Sequence, residues 1–479
     1  MTSVPTKIAV LGGGAGSLAS VFAITSEPKW RERYEITVYQ MGWRLGGKGA
    51  SGRDRKRADR IYEHGFHMWM GFYANAFSVM RECYDERARL LSDPGLFVAW
   101  TDAFKPATRF VFSERIGAHW RLWPIDYPTY PGDPSEPTQP LHAWDYVLMI
   151  LDRLRDHYVA SPHAQAPMGP ADAVHHSLLG RIAARLAHDL GLLILGGGLV
   201  ALDAVIQLAR LVRDESGDHG LLTQAIDFAR ARIWSHLSLA IEDDDDARRL
   251  WTVIDLTFAI LRGILVDRIM TRGFDAIDDI EFRAWLISHG ASDMAVHSVP
   301  IAALYSANFS FIEGDHARPD FAAGVALQSY LRLFLASRGA FAWTLQSGMG
   351  DVVFSPLYQV LKARGVTFRF FHRVTALKYD EAGNHIGRIE MEEQVRLRQP
   401  YEPIFRVKGV DAWPSSPFCD QIENGEELEA AIAAGQIDLE SSCSRPWKDR
   451  RPVTLTKGAD YDVIVLGISL GALGTLCRD

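Results

Sequence analysis

The segment Lys7-Ile-Ala-Val-Leu-Gly12-Gly-Gly14-Ala-Gly-Ser17-Leu-Ala limits the folds open to this chain more than any other stretch. Lys7 to Leu11 is a short apolar run of the kind that forms a buried first strand in a parallel sheet. Gly12 permits a tight turn, and Gly14 lets a ligand approach the backbone where a Cβ would block it. Ser17 opens onto Leu18 to Ile24, which reads as a helix whose first amides and dipole favour an anion. The order strand, Gly-rich turn, helix predicts a phosphate cradle of the dinucleotide type rather than a plain loop.

A second strand is predicted over Tyr34-Glu-Ile-Thr-Val-Tyr-Gln40, which puts Gln40 at a ribose-reading position roughly 20 residues past the turn. Met41-Gly-Trp-Arg44-Leu-Gly46-Gly47-Lys48-Gly-Ala-Ser51 follows, a second glycine pair flanked by cations. The third block is Arg60-Ile-Tyr-Glu63-His64-Gly65-Phe-His67-Met-Trp-Met-Gly71-Phe-Tyr73-Ala-Asn75. Gly65 permits close approach of a ligand, His64 and His67 can donate protons or hydrogen bonds, and Met68, Trp69 and Phe72 can wall an apolar tunnel.

These blocks resemble those of the FAD-dependent amine oxidase and phytoene (carotenoid) desaturase superfamily. Arg44-Leu-Gly46-Gly47-Lys48 is similar to its Arg-x-Gly-Gly-Lys/Arg motif, and Glu63 to Asn75 resembles its segment beside the flavin ring. The resemblance implies FAD as cofactor. Gly12, Gly14, Ser17, Arg44 and the amides of Gly46 and Gly47 would then meet the phosphates, and Gln40 the ribose. Lys48 and Gly65 would lie near the flavin, with His67 as catalytic residue. Ser17 stands where the family has a third glycine, and Gln40 where it has glutamate. A serine can still cap the helix and donate to a phosphate. A glutamine accepts from a ribose hydroxyl without charge, and so more weakly.

Gln346-Ser-Gly348-Met349-Gly350-Asp, a helix to Arg364 and a strand from Val366 to Val374 resemble the unit by which the same family returns to its cofactor domain. That match implies backbone contact of Val374 with the adenine. A two-strand excursion around Ile386 to Val395 and a rejoining strand, Tyr461 to Gly467, are expected next. Before that return, Ala99 to Pro140 is rich in aromatics and turn residues, with Pro124 to Pro134 as an extended loop. From His142 to about Ala340 helical periodicity dominates, as in Leu178 to Ala187 and Leu250 to Phe258. This stretch resembles a helical substrate cap, with Phe282 to Gly290 and Ile301 to Phe311 lining the cavity. The expected fold is therefore α/β: a Rossmann-like FAD-binding domain of the GR2 type, split between residues 1–98 and 341–479, with a mainly helical substrate domain inserted at 99–340. Family members run on past the last strand into a Gly-Asp segment and a closing helix. On that comparison the second part is C-terminally incomplete, and the chain would be either a shortened gene product or one half of a split enzyme whose partner chain supplies the missing segment.

Composition fits this reading. The 479 residues allow more than one domain, and 48% hydrophobic with 23% charged residues is ordinary for a globular chain. A net charge of −8 gives no electrostatic reason to expect nucleic acid. Cys83, Cys419, Cys443 and Cys477 lack metal-site spacing and read as free thiols in a reducing, cytoplasmic setting. Met1 to Lys7 leads straight into the first strand, leaving no room for a secretory signal. Trp251 to Val266 is the greasiest segment. Asp255 and Arg262 interrupt it, which argues against a spanning helix and leaves peripheral membrane contact open. Gly196-Gly-Gly198 reads as a helix break, and Glu242 to Asp246 as a solvated turn rather than a metal or diphosphate site.

The resemblance implies hydride transfer from an apolar isoprenoid, carotenoid or lipid-like substrate to FAD, with a quinone or oxygen as electron acceptor. A flavin-dependent isomerase and a catalytically silent flavin- or lipid-binding remnant stay open as alternatives. The Arg44 to Lys48 block argues against a plain NAD-dependent dehydrogenase.

Overall fold

In the computed structural model, which describes residues 4–127, 129–136, 143–162, 197–211 and 219–477, the chain divides into two units. One comprises Met1–Thr108, Thr129–Pro137 and Arg338–Asp479, the other Arg109–Pro128 and Thr138–Ser337.

In the first unit, strands β1 (Thr6–Leu11) and β2 (Tyr34–Tyr39) pair in parallel and are joined through helix α1 (Ala15–Ser26). Helices α2 (Ala74–Leu90) and α3 (Ser355–Arg364) pack with α1 and with each other. The outer strands come from distant sequence: β3 (Thr367–Arg369) beside β2 and β4 (Val463–Leu466) beside β1, giving the all-parallel order β3-β2-β1-β4. Because side chains alternate along a strand, β1 serves two cores. Ile8 and Val10 join Leu18, Val21 and Phe22 of α1. Ala9 and Leu11 join Leu377, Ile389, Met391, Leu455 and Tyr461. Leu377, Ile389, Met391 and Leu455 belong to an antiparallel sheet of His372–Tyr379, Ile386–Glu393 and Arg451–Thr456. Cover on both faces is what lets an unbroken apolar run stand as a strand.

Two sequence expectations are corrected here. The single strand expected from Val366 to Val374 is two strands, because the chain breaks at Phe370 and Phe371. Phe371 adopts φ 61°, and its amide bonds the Gly42 carbonyl at 2.8 Å, so the following residues leave for the antiparallel sheet. The two-strand excursion around Ile386 is one strand, the middle one of that sheet. An apolar run fixes that a segment is buried, not which sheet it joins.

The second unit is mainly helical among its described residues. Its central helix, Asp245–Val266, is buried along most of its length and packs against Gly220–Leu237, Phe282–Ser288 and Asp293–Val296. Asp244 caps it by accepting the amides of Asp246 and Ala247 at 2.8 and 3.2 Å, so the acidic run is a turn and a helix start. No group of three potential metal ligands occurs among the described residues. Asp255 is fully buried and accepts from Arg230 Nε (2.6 Å), Ser292 N (2.8 Å) and Ser292 Oγ (2.6 Å), so the polar interruption of the greasy segment ties helices together. Among the described residues no helix is long and apolar enough to cross a membrane.

Arg109–Ile116 and His119–Asp126 form a hairpin that takes in the first three residues of the expected loop, Pro124 to Asp126, and its Glu114 is gripped by Arg248 and Arg249. Leu178 to Ala187 and Gly196 lie outside the described residues. Gly197 and Gly198 begin the helix Gly197–Leu211.

Candidate nucleotide-binding site

The Gly-rich turn sits at the C-terminal end of β1, where parallel sheets place ligands. Gly12 adopts φ +97°, a conformation L side chains rarely take, and its amide bonds the Tyr39 carbonyl at 2.9 Å, closing the turn onto β2. At Gly14 and Gly16 an added Cβ would meet nothing within 4 Å, so the backbone is open to an approaching group. Gly14 is the N-cap of α1 and supplies no side-chain acceptor, leaving the first-turn amides to an external anion.

Ser17 is 5% exposed, and its Oγ has no hydrogen-bond partner among the described residues. Buried hydroxyls without partners are uncommon in folded proteins and mark a place for a ligand or water. Gln40 lies at the end of β2, where its Oε1 accepts the Gly13 amide at 2.7 Å and its Nε2 donates to the Met41 carbonyl at 2.6 Å. It thus steadies the turn from beneath.

The loop after β2 docks on the same turn. The Gly46 amide bonds the Gly13 carbonyl at 2.8 Å, and Gly46 adopts φ +121°, where a side chain would strike Phe354 and Ala50. Gly47 follows at φ +56°, with Gly14 Cα 3.5 Å from the site of its missing Cβ. Lys48 is exposed, with no hydrogen bond or ion pair among the described residues. Arg44 is nearly buried and forks onto Glu440, Nε to Oε1 at 2.8 Å and Nη2 to Oε2 at 2.6 Å. A phosphate would compete with Glu440 for it.

Glu63 and His67 stand as a pair, His67 Nδ1 being 3.2 Å from Glu63 Oε2, while Glu63 Oε1 accepts the Met349 amide at 2.6 Å. His64 Nδ1 lies 3.3 Å from the Ala50 carbonyl. A Cβ at exposed Gly65 would meet nothing within 4 Å. Trp69 is buried with Phe77 and Phe104, ring centroids 5.2 and 4.7 Å away, so it belongs to a core cluster. The turn at Gly348 to Gly350 is pinned by Ser51 Oγ, which accepts the Gly350 amide at 2.7 Å, and a π-helical turn, Gly350–Phe354, leads into α3. Asp351, inside that turn, accepts from Arg53 Nη2 (2.8 Å) and Ser347 Oγ (2.6 Å), while burial pushes its carboxyl above the usual range.

Val374 is carried to this edge because the His372 amide bonds the Gln40 carbonyl at 2.9 Å. The pairing slips directly after Val374. His372 faces the Tyr39 ring at 5.7 Å, and burial holds the imidazole below its usual range and so neutral at pH 7. Gly12, Gly14, Ser17, Gln40, Gly46 and Gly47 therefore converge on one turn, while Val374 packs against the core cluster that holds Ala9 and Leu11. Sequence reasoning missed Glu440 and the roles of Ser51 and Gly467, whose partners Arg44, Gly350 and Leu11 are hundreds of residues away.

Residues 10–83 match the model of an NAD(P)-binding Rossmann-like domain. No curated protein matches the chain. Among solved structures it is similar to an oxidoreductase from Methanosarcina mazei, at 10% identity and a TM-score of 0.32, over 80% of this chain and 55% of that one. It is also similar to a RAB GDI from Plasmodium falciparum, at 8% identity and a TM-score of 0.32, over 97% of this chain and 93% of that one. The chain spans about half the length of the Methanosarcina mazei protein. Residues 10–83 thus carry the first part of a Rossmann-like fold, whose turn and helix start suit a nucleotide cofactor.

Proposed function

We propose that the chain is an FAD-dependent oxidoreductase acting on an apolar, isoprenoid- or lipid-like substrate. The observation that carries this reading is the docking of Gly46 onto Gly13 beside the open positions at Gly14 and Gly16. A nicotinamide dinucleotide needs the turn alone. The second glycine loop is the part that resembles amine oxidase and desaturase flavoproteins.

A bound flavin would supply a hydride acceptor for a substrate C–H bond, with a quinone or oxygen taking the electrons. The chain's own groups bind, orient and exclude water. Amides at the start of α1 hold the phosphates, and the Gly46 to Gly47 backbone closes over them. Glu63, fixed by the Met349 amide, would accept a hydrogen bond from the Nδ1–H tautomer of His67, leaving Nε2 as the acceptor nitrogen. Helices of the second unit would house the apolar substrate.

Two contacts favour a second reading, a flavin- or lipid-binding protein without turnover: Arg44 is committed to Glu440 and Gln40 to Gly13. Product analysis separates the two. The chain expressed in a carotenoid- or squalene-producing host should yield a product two hydrogens lighter, detected by mass spectrometry. An isomer of unchanged mass would point to a flavin-dependent isomerase. Unaltered lipids from a host carrying flavin-loaded protein would leave the silent reading.

A further inference from the structure

We propose that Arg283, in the helical unit, is the receptor for a small oxyanion, the carboxylate or phosphate of a ligand. Its guanidinium lies 4.5 Å from the centroid of the Tyr305 ring and 5.9 Å from that of Phe311. Among the described residues it makes no hydrogen bond and no ion pair, and its Nε is buried without a partner.

Four other arginines of the unit are matched to acids: Arg230 to Asp255, Arg248 and Arg249 to Glu114, Arg155 to Asp203. The acid nearest Arg283 in sequence is already used. Glu281 Oε2 accepts the Ala284 amide at 3.0 Å, and its Oε1 accepts the Tyr305 hydroxyl. That hydroxyl in turn accepts the Arg283 amide at 3.1 Å, so the tyrosine meets the backbone of Arg283 by hydrogen bonding and its side chain only by ring face. A ring face attracts the charge but satisfies none of the guanidinium's five N–H donors. A buried donor left unmet is costly, and its persistence calls for a partner.

The aromatic floor is held in place. Phe311 lies between Phe309 and Glu313, which both adopt positive φ, 54° and 56°. The strained loop is pinned where the Ile312 amide bonds the Arg318 carbonyl and the Asp320 amide bonds the Ser310 carbonyl, each at 3.0 Å. His316 stacks on Phe311 at 4.4 Å. A planar cation on a rigid floor is prepared for two parallel N–H···O bonds to a carboxylate or phosphate. The inference concerns the helical unit alone and does not depend on the nucleotide reading.

Three probes distinguish the sources: sodium oleate below its micelle concentration, sodium acetate and inorganic phosphate, each against sodium chloride at equal ionic strength. Isothermal titration and the thermal midpoint are read on the full chain and on R283Q and R283K. At least one oxyanion should bind wild type and raise its midpoint. R283Q should bind it tenfold or more weakly, and R283K should fall between. Without anion, R283Q should be no less stable than wild type, because the unmet donor is gone. Oleate alone would name the head group of an amphiphile, and phosphate a free or esterified phosphate. R283K carries the comparison if R283Q fails to fold. No Arg283-dependent binding of any probe would overturn the proposal, as would an R283Q chain destabilised with anion binding intact.

Discussion

The Ser17 hydroxyl fills the place that a side chain at Gly467 would take: a Cβ on Gly467 would lie 1.8 Å from Ser17 Oγ. The resemblance leads one to expect a glycine at the Ser17 position, where helix and strand approach closely. Here the glycine is on the other partner, directly after β4, and the Gly467 amide bonds the Leu11 carbonyl at 2.9 Å. G467A should therefore cost about 3 kcal/mol by overpacking. S17A in the same chain should return roughly half of that, because the Gly12 and Leu11 carbonyls remain close to the new methyl. Denaturant midpoints of the two single variants and the double variant check the coupling, and additive losses would dissociate the two positions.

Gly14 separates binding from folding. Its φ of −78° and ψ of 173° suit any residue, and nothing stands within 4 Å of an added Cβ. G14A should shift stability by about 0.5 kcal/mol or less. The same methyl would stand in the approach to the first-turn amides, so nucleotide affinity should fall tenfold or more. Equal affinity in equilibrium dialysis would place the ligand elsewhere.

Arg44 and Glu440 make stability and binding move in opposite directions. E440Q should weaken a nearly buried ion pair and lower stability by about 1–2 kcal/mol. It should also free the guanidinium for a phosphate and tighten nucleotide binding several-fold at low salt. A variant that loses both stability and affinity would make Arg44 a structural anchor.

Glu114 sets a pH dependence in the helical unit. Burial alone would raise its carboxyl, but hydrogen bonds from Arg248 and Arg249 outweigh that and hold it below the usual range. An acid with a depressed folded pKa adds stability above its unfolded value, about 4.3, and loses that stability as pH falls through the folded one. E114Q should therefore cost about 2 kcal/mol at pH 7. The gap to wild type should narrow steadily below pH 4. Thermal midpoints from pH 7 to 3 measure it, and a constant gap would contradict the assignment.

What could be read from the sequence was what a few neighbouring residues determine. β1, the Gly12 turn and α1 follow from composition and order within about twenty residues, because a turn needs its glycines in place before any tertiary contact forms. The Gly46 to Gly47 loop was legible for the same reason. Arg44 shows the limit: its charge and its place beside the glycines are local, but its partner Glu440 is 396 residues away. The break at Phe371 was illegible because an apolar run looks alike in a parallel and an antiparallel sheet. Arg283 sits in a segment read as cavity lining, yet its isolation emerges only once the partners of its neighbours are known.

The central claim, a flavin nucleotide on the turn formed by Gly12 to Ser17, is tested most directly by reconstitution. The purified chain is incubated with FAD, passed through gel filtration, and examined for a flavin absorbance spectrum in the protein peak. The account predicts flavin retained near one per chain and lost from G14A. Retention of a nicotinamide dinucleotide with no flavin, or flavin retained equally by G14A, would contradict it.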